Sequence, residues 1–364
     1  MIAALNACRF VYNWALEDRA NLYAYAKCST NFYDQSKYLP TLKDANKPLK
    51  NVHVHTLQDA LRRADRAFEA FFRRCRYGEK PGYPRFKGRN RYDSFTFKEW
   101  TNGVKFDGKR LSLSKIGRVR IVLHRPIRGV IKTCTIKRRA DGWYALFSVE
   151  QSRIEPTKRK ERPVGIDVGV ESFVALSTGR RIENPRYYVN AQRGLAIAQR
   201  KVAKRKKGSA RRARAVRHLR LEHLRLARTR RDFQFKTAKR LVERFHPIYV
   251  EKLNVAGMLR NRTLAKHIAD ASWSSFLSIL SNKAENAGSA VVAVEAKGTS
   301  QECSRCGKNV PKTLSERIHQ CPHCGYTAHR DVNAAKNVLK RGRAGPSARG
   351  RRKTRPMTRE AAGL

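Results

Sequence analysis

The chain has 364 residues, 41% of them hydrophobic. A chain of this length is too long to fold around a single hydrophobic core, so we predict about two to four domains. Its 80 lysines and arginines against 29 acidic residues give a net charge of +51, which opposes compaction unless a polyanion neutralises it. We therefore expect nucleic acid as a partner, and this charge argues against a protein that works without one.

The sequence also excludes a membrane protein and indicates a reducing compartment. No apolar run approaches the roughly 18 residues that a membrane-spanning helix needs. The first residues lack a basic segment followed by an apolar core, so we predict no signal peptide and an intracellular protein. Four of the eight cysteines form two Cys-x-x-Cys pairs, which in such a compartment indicate a metal site rather than disulfides.

Helical periodicity dominates residues 1–90. Its clearest part is an apolar stripe with alternating spacings of four and three, which predicts an amphipathic helix packed on other helices. The stripe consists of Leu57, Leu61, Ala64, Phe68, Phe71 and Cys75. A basic loop rich in glycine and proline, 78–91, is predicted to end this region.

Between residues 92 and 150 the apolar period changes to two. Short alternating segments such as SFTFKE, RLSLS and IKTCTIKR are separated by the turns DGK, IGR and ADGW. This pattern predicts a small antiparallel barrel or a curled sheet. The charged run EPTKRKERP, 155–163, is then interpreted as a linker.

A third region begins at residue 164 with VGIDVGVESFVALST, which predicts two apolar strands around a bend. The next stretch, 193–245, has 20 basic and 3 acidic residues, a net charge of +17. The turn RKKGSARR divides it and predicts a helical hairpin. A solvated helical face is one interpretation, but repulsion among so many like charges favours a groove for nucleic acid.

Further elements follow the hairpin. We predict a buried strand at PIYVEKLN, a helix around SWSSFLSILSNKAENAG and a strand at SAVVAVEA. A four-cysteine module comes next, and then a helix that begins at Asp331. The tail after this helix has no periodicity and is predicted to be disordered.

Two Cys-x-x-Cys-Gly turns form the cysteine module, and 14 residues (307–320) separate them. Four thiolates at this spacing predict a closed tetrahedral Zn²⁺ site, which is structural and cannot itself catalyse a reaction. His323 and His329 would overfill such a site, so neither is a predicted ligand. The predicted ligands are Cys303, Cys306, Cys321 and Cys324.

Three carboxylates stand at unusual positions. Asp167 lies within the apolar strand VGIDVGV, Glu251 ends IYVE, and Asp331 opens the last helix. Each alone has a structural interpretation, respectively a turn cap, a partner for a lysine and a helix N-cap. Together, two acids on adjacent strands and a third on a packed helix can converge. Two Mg²⁺ ions would relieve their repulsion and supply the apparatus for in-line phosphodiester cleavage.

The cysteine module lies between the last strand and the helix of Asp331. We therefore expect bound zinc to hold Asp331 in register with the other two acids. A fourth acid, Glu295, closes SAVVAVEA and is interpreted as a surface residue at a strand end.

In combination, several segments resemble the TnpB family, the RNA-guided nucleases of small insertion sequences and ancestor-like relatives of the type V CRISPR effectors. The resemblance covers about residues 5–342. It is carried by ACRFVYNW, GYPRFKGRNRYDSFTF, GIDVGV, RKKGSARR with RRDFQFK, VEKLNV, and TSQECSRCG with CPHCGYTAHRDVNAAKN.

The resemblance implies a multidomain protein of the α/β and α+β classes. The expected parts are a helical recognition domain (1–90), a wedge β-barrel (91–155), an RNase H-like RuvC nuclease domain (163–298) with the basic hairpin 193–245, a zinc ribbon (299–328), a final RuvC helix (329–342) and a disordered basic tail (343–364). Family members begin with a strand before the helix that carries ACRFVYNW. This chain begins inside that helix, so we expect the barrel to lack its first strand.

The resemblance also implies a DNA endonuclease that a guide RNA from the transposon end directs to duplex DNA beside a short motif. Carried over by motif, the catalytic residues are Asp167, Glu251 and Asp331. The implied cofactors are two catalytic Mg²⁺ ions, for which Mn²⁺ can substitute, and one structural Zn²⁺. A monomeric ribonucleoprotein in the cytoplasm of a prokaryotic cell, associated with the nucleoid through DNA, is expected.

Some residues are expected to contact nucleic acid. Rough alignment with the family suggests four side chains that can hydrogen-bond base edges in the adjacent motif, with ordinary surface polarity as the alternative. They are Tyr33, Gln58, Thr101 and Asn102. Backbone contacts are expected from the hairpin residues Arg205, Lys206, Lys207 and Arg211.

Three other functions remain open at this point. A nuclease-inactive, RNA-guided repressor predicts the loss of at least one acid, yet all three are present. A guide-free transposase with a nucleophilic tyrosine needs a His-x-His metal pair, for which HVH at 53–55 is the nearest match and is interpreted as surface. A guide-free resolvase leaves residues 1–150 unexplained.

Overall fold

The computed structural model describes residues 1–89, 91–151, 161–313 and 316–345. The chain divides into two compact units, Met1–Arg153 and Ile154–Leu364. Most of the predicted linker, 155–163, and most of the predicted tail, 343–364, lie outside the described residues. In the part of the chain that is described, no helix combines the length and the apolar character needed to cross a membrane.

Helices form the first part of unit one, as the periodicity predicts. The apolar stripe lies on the last of them, where Leu57, Leu61 and Phe68 are buried and pack against the first helix. The stripe ends earlier than predicted: Cys75 is exposed, because the basic last turn of its helix lies in solvent. The helices are α1 (Ile2–Ala26), α2 (Phe32–Lys37), α3 (Leu39–Ala45), α4 (Lys47–Lys50) and α5 (Val54–Arg76).

Six strands complete unit one, namely β1 (Ser94–Phe97), β2 (Val104–Phe106), β3 (Arg110–Leu113), β4 (Gly117–Arg120), β5 (Val130–Arg138) and β6 (Trp143–Glu150). Their hydrogen bonds form two antiparallel sheets, β1-β5-β6 and β2-β3-β4. Among the described residues these sheets are not hydrogen-bonded to each other, so the structure has two small sheets where the sequence predicted one small barrel or curled sheet. The segment 121–129 between β4 and β5 includes Pro126, which has no amide hydrogen for a ladder. Phe95 and Phe97 are fully buried in a core shared with α1 and α5.

The strands of unit two are β7 (Val164–Asp167), β8 (Ser172–Leu176), β9 (Arg181–Glu183), β10 (Ile248–Glu251), β11 (Val291–Val294), β12 (Ile318–Gln320) and β13 (Thr327–His329). The first five form one sheet in the order β11-β10-β7-β8-β9. In this sheet β7, β8 and β9 are antiparallel, whereas β10 and β11 run parallel to β7. The central strand β7 is buried over Val164 and Ile166, which explains its apolar sequence. The antiparallel pair β12-β13 belongs to the cysteine module.

The helices of unit two are α6 (Tyr187–Ala203), α7 (Ala210–Arg244), α8 (Val255–Met258), α9 (Ala265–Ala271), α10 (Trp273–Asn286) and α11 (Arg330–Arg343). Helices α6 and α7 pack together as the predicted hairpin. Its turn uses Gly208 at φ +87°, a conformation that other residues rarely adopt. The second half of α7 buries Ala238 and Leu241 in the core, while its first half is largely exposed.

The last helix, α11, packs directly on β7. A side-chain carbon at Gly165 would overlap the carbonyl oxygen of Ala335, so only glycine allows the helix backbone to come this close. Gly342 of α11 makes similar room for the ring of Tyr249 in β10. These two glycines therefore set the distance between α11 and the two strands that carry Asp167 and Glu251.

Replacing Gly165 with alanine is expected to lower the free energy of unfolding of unit two by about 3 kcal/mol or more, since the added methyl group meets rigid backbone. Gly194→Ala is the matched control. Gly194 lies within α6 with open space around it, so alanine should stabilise by about 0.5–1 kcal/mol. Thermal unfolding followed by circular dichroism would measure both changes. Equal melting temperatures for the two variants would contradict the close packing of α11.

Candidate active site and metal centre

The two strand acids lie side by side on one face of the sheet. In the parallel pair of β10 and β7, Val250 is opposite Ile166, so Glu251 and Asp167 are the next residues on neighbouring strands. Side chains alternate between faces along a strand, which places Asp167 on the face of Gly165 and Glu251 on the face of Tyr249. This is the face that α11 covers.

The third acid comes from the first turn of α11. The Nδ1 atom of His329 accepts the backbone N–H of Asp331 at 3.3 Å and caps the helix. Asp331, Ala335 and Leu339 are four residues apart and therefore share a helix face, the face that meets Gly165. A Cβ built on Gly169 would lie 3.5 Å from Oδ2 of Asp331, so this carboxylate lies beside the backbone that follows Asp167.

The three carboxylates influence one another electrostatically. Burial, and then the negative charges of Glu251 and Asp331, raise the pKa of Asp167 well above its usual range, with Arg330 opposing the shift. Burial also raises the pKa of Glu251, against a hydrogen bond from Thr299 and the charge of Arg341. A site that penalises its own negative charge in this way favours the binding of cations.

A hydrogen-bond network ties Glu251 to the cysteine module and to α11. The buried hydroxyl of Thr299 lies within hydrogen-bonding distance of both the Glu251 carboxylate and, at 2.9 Å, the carbonyl of Ala296. Asn337 on α11 donates to the carbonyls of Thr299 (2.8 Å) and Glu302 (2.7 Å).

Asn333 extends this network to the first cysteine turn. Its amide donates to the carbonyl of Glu302 at 2.7 Å, and its oxygen accepts the backbone N–H of Ser304 at 2.9 Å. Both Asn333 and Asn337 are almost fully buried. The helix that carries Asp331 is therefore anchored to the segment that begins the cysteine module.

The four cysteines form a tight cluster, with all four sulfur atoms within 4.8 Å of one another. The Sγ atoms of Cys303 and Cys324 are 3.8 Å apart and those of Cys306 and Cys321 are 3.6 Å apart. A tetrahedral ion with Zn–S bonds of about 2.3 Å requires sulfur separations of about 3.8 Å. The cluster therefore fits a metal ion such as zinc. Neither His323 nor His329 is part of it.

The three acids are spaced more widely than the cysteines. Among the described residues, the cysteine cluster is the one group of three or more metal-binding side chains whose ligand atoms all lie within 4.8 Å of one another. The donor set of the three acids is all oxygen, the type that Mg²⁺ and Mn²⁺ prefer.

The residues predicted to read a DNA motif lie in unit one, and three of them are near α5. Gln58 and His55 are three residues apart on this helix, and Asn102 lies 3.5 Å from the His55 ring and 3.2 Å from Glu99. Tyr33 is exposed, with the Arg62 guanidinium 5.5 Å from its ring centre. Thr101, next to Asn102, adopts a φ of 73°.

The histidines of the HVH segment are not the surface residues that the sequence suggested. His53 caps α5, and its ring packs 5.5 Å from that of Phe97 and fills the space beside Gly103. His55 lies 5.0 Å from His53 between ring centres. Both rings are half-buried, His53 against Phe97 and His55 beside His53, Asn102 and Glu99.

The four hairpin residues that are predicted to contact a nucleic-acid backbone lie in the turn between α6 and α7 and at the start of α7. Arg205, Lys206 and Lys207 lie in the turn after α6, Arg211 lies in the first turn of α7, and all four are exposed.

Glu295 is the surface residue that the sequence indicated: its side chain is 80% exposed and forms an ion pair with Lys252 at 3.5 Å.

Sequence reasoning missed Thr299, Asn333 and Asn337. A signal was present, because Asn333 and Asn337 are spaced by four in the predicted last helix, DVNAAKNVL, and so share one face, where buried amides would need partners. Thr299 has no such signal, since a threonine before a cysteine turn is ordinary.

Two family models match the chain. The model described as a probable transposase, OrfB_IS605, matches residues 146–262. The Cas12f1-like TNB domain model matches residues 273–338, which include the cysteine cluster and Asp331. Together the matches cover most of unit two.

Curated relatives span nearly the whole chain. The chain is 30% identical to a protein of Escherichia coli (strain K12) named RNA-guided DNA endonuclease InsQ, over 93% of this chain and 87% of that protein. It is 34% identical to a Streptomyces pristinaespiralis protein named RNA-guided DNA endonuclease, over 92% and 84%. It is also 35% identical to the TnpB-like protein L79 of Acanthamoeba polyphaga mimivirus, over 31% and 22%. On the strength of these near full-length matches, the chain belongs to the TnpB family.

Proposed function

We propose that this protein is an RNA-guided, divalent-metal-dependent DNA endonuclease. The observation that carries the proposal is the convergence of Asp167, Glu251 and Asp331 from two adjacent parallel strands and the helix packed across them. The names of the full-length relatives support the RNA guide and the DNA substrate. The net charge of +51 supports large nucleic-acid partners.

In this proposal the five-stranded sheet with α11 is an RNase H-like, RuvC-type nuclease core. A pair of Mg²⁺ ions held by the three carboxylates would supply a polarised phosphate, an activated water and a stabilised leaving oxygen. Asp167 would be one of the three carboxylates that hold the ions, and the negative charges of Glu251 and Asp331 both act on it. Thr299 would orient the Glu251 carboxylate, and the packing of α11 on Gly165 would fix Asp331.

We further propose that the cysteine cluster binds one structural Zn²⁺ and that the protein acts as a monomeric ribonucleoprotein. Tyr33, Gln58, Thr101 and Asn102 are proposed to read a short motif beside the target. Their placement near α5 and the loop before β2 supports this, since Gln58 and Asn102 both lie beside His55. Base pairing with the guide would read the remaining sequence.

The proposal is tested with protein co-purified with the transcript of its own locus. A plasmid library would carry the guide-matched target beside randomised flanks, with Mg²⁺ or EDTA present. We expect Mg²⁺-dependent cleavage confined to one flanking motif. Binding without cleavage would indicate an RNA-guided repressor, and cleavage that ignores the guide would indicate a guide-free nuclease; either result would overturn the proposal.

Replacing Thr299 with valine is expected to lower the cleavage rate by about 10–100-fold, a typical effect of losing a partner that orients a metal ligand. Valine keeps the shape of threonine but cannot donate a hydrogen bond to Glu251. Thr299→Ser keeps the hydroxyl and should retain most of the activity.

A second readout for these variants avoids cleavage altogether. The Mg²⁺ concentration that gives half of the maximal thermal stabilisation reports metal affinity, and it should rise for Thr299→Val but not for Thr299→Ser. If serine and valine weaken metal binding equally, the role of Thr299 is packing rather than orientation of Glu251.

A further inference from the structure

A cavity of about 340 Å³ lies between the facing ends of α6 and α7. One water molecule needs about 10–15 Å³ of space measured in this way, so the space is larger than a single ion or water site. The lining residues are Ala198, Lys201, Arg205, Arg211, Arg214, Ala215 and His218. Four of these seven side chains are permanent cations, and none is acidic.

Helical periodicity explains why these residues face one another. On α7, Arg211, Arg214 and His218 are spaced by three and four residues and share one face. Ala198 and Lys201 share the opposing face of α6, and Arg205 continues it into the turn. Two alanines, Ala198 and Ala215, keep the space between the helices open, whereas larger side chains would fill it.

The cations around the cavity lack acidic partners. Among the described residues, none of Lys201, Arg205, Arg211 or Arg214 takes part in an ion pair. Farther along α7 the pattern differs. Arg230 pairs with Asp270, and Lys236 pairs with Asp232. Acidic side chains of the described residues therefore do not compensate the positive charge at the end of the hairpin that holds the cavity.

From this cavity we infer a phosphate-binding site for the backbone of a nucleic-acid strand. Three arginines, Arg205, Arg211 and Arg214, can each bind phosphate oxygens through two N–H groups, and Lys201 adds a point charge. The inference rests on the proposed function only in taking nucleic acid as the partner. It assigns different roles to neighbouring residues of one basic turn: Arg205 and Arg211 line the site, whereas Lys206 and Lys207 do not.

That difference supplies a charge-matched test. The double variants Arg205→Ala/Arg211→Ala and Lys206→Ala/Lys207→Ala each remove two positive charges from the same region. Binding of the full chain to fluorescein-labelled 20-nucleotide RNA and DNA strands would be measured by fluorescence anisotropy between 50 and 300 mM KCl, with EDTA present. The slope of log K against log salt counts the phosphate contacts, at about 0.7 per contact for a single strand.

We expect the magnitude of this salt slope to fall by about 1.4 for Arg205→Ala/Arg211→Ala. For Lys206→Ala/Lys207→Ala it should fall by less than half of that amount. A larger change with RNA would assign the site to the guide, and a larger change with DNA would assign it to the target strand. Equal changes for the two pairs, or a larger change for the lysine pair, would overturn the inference. Because EDTA prevents metal-dependent cleavage, a failed nuclease assay would leave this result intact.

The arginine variant also needs a control for folding and for charge. All four replaced residues are exposed at the hairpin end, so both double variants should melt at the wild-type temperature. Arg205→Lys/Arg211→Lys keeps the charge but loses the paired N–H groups, and it should recover most of the salt slope. If Arg205→Lys/Arg211→Lys has the same reduced salt slope as Arg205→Ala/Arg211→Ala, phosphate binding through charge would be contradicted.

Discussion

Replacing Asp167 with asparagine should abolish DNA cleavage, with a loss of about 10³-fold or more, while guide and target binding stay at the wild-type level. The amide keeps the size of the side chain but removes the negative charge that would hold the metal ions. Losing about 4 kcal/mol of transition-state stabilisation corresponds to this factor. Single-turnover cleavage of a guide-matched duplex would measure the loss.

The same variant should be more stable than the wild type when metal is absent. Burial and the charges of Glu251 and Asp331 disfavour ionised Asp167, and asparagine removes that penalty. We expect a higher melting temperature in EDTA, by about 2–4 °C for each kcal/mol relieved, and a smaller rise on adding Mg²⁺. A residue that only supports the fold should not give lower cleavage activity together with a higher melting temperature when it is replaced.

Glu295→Gln is the matched control, because it removes one carboxylate charge from the same region of the chain. The Glu295 side chain is 80% exposed and forms an ion pair with Lys252, so loss of its charge should change neither cleavage nor the response to Mg²⁺. If Asp167→Asn cleaves at the wild-type rate, the three acids are not the catalytic centre.

Replacing Cys303 with serine should remove the zinc that we propose the cluster binds and lower cleavage by about 10–100-fold. Cys303 is fully buried in the cluster, and three remaining sulfurs leave the site open. The carbonyls that Asn333 and Asn337 contact, those of Thr299 and Glu302, lie just before this cysteine, so disorder there would release the start of α11 and with it Asp331. Mass spectrometry of the metal content would show zinc falling from one ion per chain towards none.

Cys28→Ser provides the control for this prediction. Cys28 is exposed and lies in unit one, outside the cluster, so zinc content and cleavage should be unchanged. A Cys303→Ser protein that has lost its zinc yet cleaves at the wild-type rate would show that the cluster does not hold Asp331 in position.

Most elements of this fold could be predicted from periodicity. The alternation around Asp167 and the four-residue spacing after Asp331 are local patterns, and each corresponds to a strand or helix in the structure. The convergence of the acids could be proposed because adjacent parallel strands end at the same edge of a sheet. The sulfur geometry followed from the spacing of the cysteines alone.

Other features depend on contacts that no local pattern records. The hydrogen bond from Thr299 to Glu251 joins residues that are distant in sequence, and the approach of α11 to Gly165 depends on how two elements pack. The division of strands β1–β6 into two sheets could not be predicted either, because tertiary packing decides which strands pair. The cavity of the hairpin also required the helices to be placed before Arg205 could be distinguished from Lys206.

The placement of Asp331 on α11 has a consequence for biosynthesis. On the ribosome the chain emerges in order, so β7 and β10 can pair and carry Asp167 and Glu251 well before α11 exists. The third acid arrives only after the cysteine segment has been made, and its helix is anchored to that segment. A nascent chain would thus lack the complete set of three acids, and so be unable to cut DNA, until the last helix had been made and had docked on the sheet.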